Sequence, residues 1–358
     1  MNVQITYREA GVDTAKVELG LKRLLSHVVR SHTFRNDIGS VKLEIGYFAN
    51  VLDLGQGTGL AVSTDGVGTK ILIAQLMDKY DTIGIDCIAM NVNDILCVGA
   101  EPISLLDYIA VCEPEPELLD EIGKGLARGA EIANITISGG EIAVVKDMLK
   151  GVRRNREFDL VGTAIGTVSL DNIIVGANIS ENDVIIGLSS SGIHSNGLSL
   201  ARYIFLNAIN EYFDVLGKTI GDELLEPTHI YVPEIMEMIH AGLDIKALIH
   251  ITGDGFFNLN RVKSKVGFVI DYLPEAPPIF SLLQTRGNVT DEEMFRVYNM
   301  GIGFCVVLPQ EEAEAAIEIA GRHNVDAFRL GYAVKDLDKK LIIKPAQLCG
   351  QKKQFYKY

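Results

Sequence analysis

The chain has no tryptophan, only five cysteines, and no apolar run of about 18 residues or more, the length a helix needs to cross a membrane. The missing tryptophan excludes nothing. The cysteines (Cys87, Cys97, Cys112, Cys305 and Cys349) are odd in number, widely spaced and without a Cys-x-x-Cys pair. That pattern argues against a disulfide framework or a zinc site and predicts buried thiols in a reducing compartment. No charged segment followed by an apolar one opens the sequence, so a cytoplasmic protein without a membrane anchor is expected. Basic residues are scarce too, with 33 Lys and Arg against 47 Asp and Glu, a formal charge of −14. A concentrated basic surface for nucleic acid is therefore not expected. A small phosphorylated ligand is still compatible, because a diffuse negative field is screened beyond about 8–10 Å and a local lysine plus a divalent cation can overcome it.

What is present is ordinary for a globular chain: 358 residues, 47% of them hydrophobic, long enough for two cores. Strand and helix patterns alternate throughout, which predicts an α/β fold of two domains, residues 1–170 and 171–346, with a tail at 347–358. The most informative stretch is Ser63-Thr-Asp-Gly-Val-Gly-Thr-Lys70. A strand ends in Asp65, and Gly66, Gly68, Thr69 and Lys70 follow at a helix start. Glycines let the backbone approach oxygen atoms, a helix N-terminus adds partial positive charge, and Asp65 has the sign to hold magnesium rather than phosphate. The spacing is not that of a P-loop. On its own the turn also reads as purely structural.

Around it, Tyr47–Leu52 and Leu60–Thr64 predict a hairpin, and residues 14–30 and Thr82–Gly99 predict helices. Ser31–Ile45 reads either as a surface loop or as a flap over a ligand. On the second helix Asp86, Asn93 and Asp94 share one side opposite an apolar stripe, which is either a solvated face or half of a metal and phosphate site. A strand from Asn134 to Ser138 is expected to end in a Gly139-Gly140 turn delivering Glu141, ahead of a basic loop at 142–157. Strands are predicted at Pro102–Val111, Phe158–Val168, Val184–Leu188 and Phe304–Leu308, and near 326–334 and 340–344. Helices are predicted at Pro114–Ala133, Leu198–Phe213, 231–241, 244–250 and 310–323. The turn Ser189-Ser-Ser-Gly-Ile-His-Ser-Asn-Gly197 is a second anion-friendly strand-to-helix connection. His194 lacks nucleophile-elbow spacing and an acid partner, so a serine-hydrolase reading has little support.

Taken in order, these motifs resemble the phosphoribosylformylglycinamidine cyclo-ligase family. The likeness runs from Tyr7-Arg-Glu-Ala-Gly-Val-Asp13 to about Val334. Its most specific parts are Thr64–Lys70, Asp81–Asp86 with Val92-Asn-Asp94, Gly99-Ala-Glu-Pro102, Ser190–Gly197, Pro227–Val232 and Tyr298–Gly303. The resemblance implies an N-terminal mixed sheet that forms a β-barrel with a second subunit, hence a homodimer, and a C-terminal α/β domain whose mixed sheet is flanked by helices. It also implies ATP-dependent closure of an imidazole ring on a small phosphorylated substrate. Carried over by position, Asp65, Asp94 and Glu141 would hold Mg²⁺. Gly66, Gly68, Thr69, Lys70 and Asn93 would join them around ATP, and Gly192, His194, Ser195 and Asn196 would line the substrate side. Lys70 and His194 would act in catalysis. Three departures sit near the implied pocket: Ile142-Ala-Val-Val-Lys146 in place of Thr-Ala-Glu-Met-Pro, Gly253-Asp254-Gly255 in place of three glycines, and Ile45-Gly-Tyr-Phe-Ala49 in place of Gly-Gly-Phe-Gly-Ala. They leave open a related phosphotransferase with another acceptor, or a non-catalytic relative.

Overall fold

The computed structural model describes residue 11 and residues 14–358; the Tyr7–Asp13 motif therefore lies outside the described residues apart from Gly11. The first half consists of α1 (Thr14–Val28), β1 (Asn50–Asp53), β2 (Thr58–Gly66), α2 (Lys70–Met77), α3 (Ile83–Leu96), β3 (Glu101–Val111), α4 (Pro116–Ala133), β4 (Thr136–Val144) and β5 (Phe158–Ser169). Its five strands pair in the order β1-β2-β5-β3-β4, all antiparallel except β3 with β4. Alternation along β5 turns Phe158, Leu160, Gly162 and Ala164 toward buried helices, while its other face stays more open. The helix α3 lies on the covered face and packs on α4 so closely that a Cβ on Gly84 would stand 2.1 Å from the Leu126 backbone nitrogen. Only glycine permits that approach.

The second half contains β6 (Val184–Ser189), α5 (Leu198–Phe205), β7 (Tyr212–Phe213), β8 (Lys218–Thr219), α6 (Ile220–Leu224), α7 (Val232–His240), β9 (Ala247–His250) and β10 (Val266–Ile270). After these come α8 (Pro278–Gly287), α9 (Asp291–Val297), β11 (Ile302–Leu308), α10 (Ala313–Arg322), β12 (Ala327–Lys335), β13 (Leu341–Ile343), β14 (Leu348–Gln351) and β15 (Gln354–Lys357). Eight of these strands form a mixed sheet, ordered β15-β14-β13-β10-β12-β6-β11-β9. β6 and β11 are buried along almost their whole length, as central strands with both faces covered must be. The two-domain mixed-sheet architecture matches the expectation from sequence. Among the described residues, no helix is long and apolar enough to cross a membrane.

Several expected elements change. The Leu198–Phe213 helix stops at Phe205 and gives way to a short hairpin. Within residues 244–250, expected as a helix, Ala247–His250 form β9, because Ala247, Leu248, Ile249 and His250 are all buried against β11 and tertiary pairing overrides a weak helical pattern. Gly139-Gly140 is no turn: β4 runs straight through it. The expected tail is the hairpin β14–β15, which extends the sheet and docks Phe355 on Phe257 with ring centroids 4.3 Å apart. The apolar stripe of α1 does not find a core, since Val17, Leu21 and Leu24 are all exposed.

The hairpin is thus part of the core and not an appendage. Phe355→Ala is expected to lower stability by about 3 kcal/mol, the usual cost of removing a buried aromatic ring, in urea denaturation followed by circular dichroism.

Candidate functional site

The two domains meet along α3, whose predicted polar side is buried and not solvated. Asp86 on it has no exposed surface. One oxygen, Oδ1, accepts hydrogen bonds from the Lys70 ammonium at 2.9 Å, the Ser195 hydroxyl at 3.0 Å, the Thr228 N–H at 2.8 Å and the Thr228 hydroxyl at 2.7 Å. Its partner Oδ2 is buried without a partner. The Lys70 ammonium also donates to the Glu226 carbonyl at 2.5 Å. Lys70 was expected on phosphate. In this structure it is wholly buried and its charge is taken up by Asp86, because the first residue of α2 points into the domain junction and away from the turn before it.

Asn93, expected beside the nucleotide, is likewise consumed. Its Nδ2 donates to the His229 carbonyl at 2.8 Å and its Oδ1 accepts from the Tyr231 N–H at 3.0 Å. It clamps the 229–231 segment of the C-terminal domain onto α3.

Asp65 and the Gly66–Thr69 turn do come together with the C-terminal domain. A cavity of about 290 Å³ opens at the junction, lined by Asp65, Gly66, Gly68 and Thr69 from one domain and Ser195 and Asn196 from the other. Thr69 and Ser199 hydroxyls bridge it at 3.1 Å. Asp65 is fixed by Asn91, which accepts from its N–H at 2.8 Å and donates to its carbonyl at 3.1 Å. Burial first, and then the nearby Asp94 carboxylate, push the Asp65 carboxyl up to about 6. Asp94 accepts, or shares a proton with, His250 Nδ1 at 3.0 Å, and the buried Nε2 of that ring has no partner. Asn196 Nδ2 is also buried and unpartnered, a donor left over at the cavity wall.

Glu141 does not join this pair. The register carries Asp65 across to Gly162, then Asp107, then Gly140, so these four share a face of the sheet. Glu141 is one residue further, in register with Tyr108, and alternation sends it to the opposite face, exposed on the edge strand β4. Among the described residues no three His, Cys, Asp or Glu side chains are grouped to hold a metal ion. The expected triad is therefore not assembled within one chain; Asp65 and Asp94 are.

The substrate-side turn is held from below. Gly192 is buried and its carbonyl accepts from Ser190 and Asn299 at 2.8 and 2.9 Å, so it shapes the turn and does not face the cavity. His194 sits at φ 59, an uncommon conformation for a residue with a side chain. Its Nε2 accepts from the Ser191 N–H at 3.2 Å, which puts the proton of the neutral ring on Nδ1, a buried atom with no partner. Burial, with His250, His229 and Lys70 nearby, holds it well below the usual histidine range. The ring fits because residue 303 is glycine: a Cβ there would lie 2.4 Å from His194 Cε1. Asp254, the carboxylate in place of a glycine, turns away to Arg261 and Lys353, each 3.2 Å off. Sequence reasoning missed His250 and the hub role of Asp86. The signals were a polar residue closing the apolar run Ala247–Ile249 and a carboxylate beside Asn93 and Asp94.

This is the architecture of a two-domain AIR synthase related protein. Residues 46–168 match the family described as AIR synthase related protein, N-terminal domain, and residues 180–344 its C-terminal domain. The phosphoribosylformylglycinamidine cyclo-ligase of Methanocaldococcus jannaschii is 48% identical over 340 residues, 93% of each chain. That of Pyrococcus horikoshii is 46% identical, covering 94% of this chain and 97% of its own. The chain belongs to the phosphoribosylformylglycinamidine cyclo-ligase family. Solved structures share the fold at low identity. A thiamine-monophosphate kinase from Stenotrophomonas maltophilia has a TM-score of 0.61 at 17% identity, covering 89% of this chain and 95% of its own. Thermotoga maritima PurL complexed with ATP has 0.56 at 14%, covering 83% and 44%.

Two outcomes follow from this geometry. Asp86→Ala leaves the Lys70 ammonium buried without its carboxylate and is expected to cost about 3–5 kcal/mol in chemical denaturation. Below pH 6.5 the unfolded chain takes up a proton at His194 that the folded chain refuses, so stability falls as pH drops. In His194→Asn, a residue that tolerates φ > 0, this slope should flatten by up to about 1.4 kcal/mol per pH unit, read from urea midpoints between pH 7 and 5.

Proposed function

We propose that this chain closes phosphoribosylformylglycinamidine to aminoimidazole ribonucleotide, using ATP and releasing ADP and phosphate. The observation that carries the reading is 48% identity to a cyclo-ligase across 93% of both chains, joined to a junction cavity whose walls suit the chemistry. The formyl oxygen is phosphorylated by ATP, the amidine nitrogen attacks the same carbon, and phosphate leaves. Such chemistry is chiefly positioning and neutralisation of phosphate charge. The Gly66-Val-Gly68-Thr69 turn and the start of α2 receive the phosphates, and Asn196, with a free Nδ2 donor, orients the substrate from the other domain. His194, neutral with its proton on Nδ1, serves the amidine side as proton holder or orienting donor.

Asp65 and Asp94 fit a magnesium ion. A carboxyl raised by burial and by a second carboxylate is relieved by a cation, and Mg²⁺ characteristically takes one or two protein carboxylates beside phosphate oxygens and water. Magnesium bound there would neutralise the transferring phosphate. Lys70 acts indirectly, fixing through Asp86 the Ser195 and Thr228 groups that carry the substrate-side turn.

The protein works as a homodimer joined through the N-terminal sheet. Among the described residues its edge strand β4 has no partner on its outer side, with Ile137, Ile142 and Val144 exposed, and Ile103, Leu106 and Tyr108 on β3 are exposed beside it. An apolar open edge of this kind calls for a partner strand, and a second copy would close the two sheets into a barrel. Glu141, on that edge, acts in the assembled dimer.

The reading is tested by incubating the purified protein with ATP, Mg²⁺ and phosphoribosylformylglycinamidine while measuring ADP and the imidazole product together. Equal amounts of both are expected, and Asp94→Asn should lose roughly 100-fold or more in kcat, the scale seen when one group stabilising transition-state charge is removed. ADP formed without imidazole would contradict the reading and point to another acceptor.

A further inference from the structure

The match to the C-terminal family domain ends at residue 344, and the β14–β15 hairpin lies beyond it. Its two-residue turn is built unusually. Gln351 pairs with Gln354, so Lys352 and Lys353 occupy the two central positions, at φ 50 and 59. Turns of this type favour Asn-Gly, because both central residues need left-handed backbone; two lysines there are adopted at an energetic cost. That backbone aims Lys353 at Asp254, whose carboxylate oxygens it meets at 3.2 and 3.4 Å. Arg261 meets the same carboxylate at 3.2 Å and covers the Phe48 ring, 4.6 Å from its centroid. Lys353 also approaches Glu18 of α1 at 3.6 Å.

The segment so gripped is flanked by the candidate site on both sides. It starts directly after His250, which bonds Asp94. Gly253 faces Asn196: a Cβ on it would come within 3.3 Å of Asn196 Oδ1, so any advance of the turn displaces that side chain. At its start the Ile251 N–H bonds the Gly303 carbonyl at 2.9 Å, and at its end Gly255 packs on α9, where a Cβ would stand 2.2 Å from the Phe295 carbonyl oxygen; between these ends the backbone bonds are local. The Gly255 N–H bonds the Thr252 carbonyl at 2.8 Å and the Phe257 N–H bonds that of Asp254 at 3.1 Å, both local contacts. Asp254 is the residue through which the C-terminal hairpin reaches it.

We propose that the C-terminal hairpin is a positioning element of the active site: Lys353, with Arg261, holds Asp254 and thereby sets the 252–255 turn against Asn196 for substrate binding. This rests on the cyclo-ligase reading for the identity of the substrate, but not for the clamp itself. Asp254 in place of glycine then has a reason. It is the handle for the lysine.

The test compares Lys353→Glu and Lys353→Arg with the full-length protein. In Lys353→Glu, amide hydrogen exchange in peptides spanning 252–258 should quicken about tenfold, and KM for phosphoribosylformylglycinamidine should rise about tenfold with kcat held within about twofold, the pattern of lost binding without lost chemistry. KM for ATP should not move. Lys353→Arg should match the native protein in every readout. Because exposed ion pairs contribute little, the melting temperature should stay within about 3 °C. Unchanged exchange at 252–258 would overturn the clamp, and faster exchange with unchanged KM would overturn its role in substrate binding. A fall in kcat and melting temperature together would reduce the hairpin to a general stabiliser and also overturn the proposal. If the native protein makes no imidazole, the functional reading fails by itself, and the exchange comparison still decides whether the clamp exists.

Discussion

Four hydrogen bonds onto one buried carboxylate oxygen tie this molecule together. Asp86 on α3 gathers Lys70 from the N-terminal domain and Ser195 and Thr228 from the C-terminal domain. A charge buried so deeply persists only when paired and hydrogen-bonded, so each donor is constrained by the others. The constraint reaches outward in sequence. Fixing Lys70 fixes the start of α2 and the glycine turn before it; fixing Ser195 fixes Asn196 beside it. The two walls of the cavity are thereby set at one separation. Asn93 repeats the arrangement one side further along α3, exchanging both amide ends with the 229–231 backbone.

Several groups around this scaffold are left unsatisfied. Asp65 and Asp94 crowd each other, Asn196 keeps an unused donor, and His194 holds a proton with nothing to receive it. Polar atoms buried without partners are costly, and at a site they are the atoms a ligand would satisfy. Asp86 shows that scaffold groups and unsatisfied groups overlap, since its Oδ1 holds the junction while its Oδ2 is buried without a partner.

Most of the fold was legible in the sequence, because β2, α3, β3, α4 and β5 carry clean periodicity and their core faces are set by it. The site was legible by residue type and less so by role. Asp65 with its glycine turn and Asp94 stand where the motifs put them. Lys70 and Asn93 face the domain junction, and a one-dimensional pattern cannot tell a polar face turned to a ligand from one turned to another domain. The Gly139-Gly140 pair, read as a turn, lies within β4, and the register there puts Glu141 on the face opposite Asp65. β9 was lost because His250 and the three apolar residues before it suit a helix as well as a strand until β11 is there to pair with them.

The junction cavity exists because the two domains form one cooperative unit around Asp86. Native-state hydrogen exchange across a denaturant series tests it most directly. Peptides from α3 and from β6, on either side of the junction, should converge on one opening free energy and respond alike to denaturant. If β6 opens at a clearly lower free energy while α3 stays protected, the domains are independently stable and the Asp86 cluster does not set the geometry of the site.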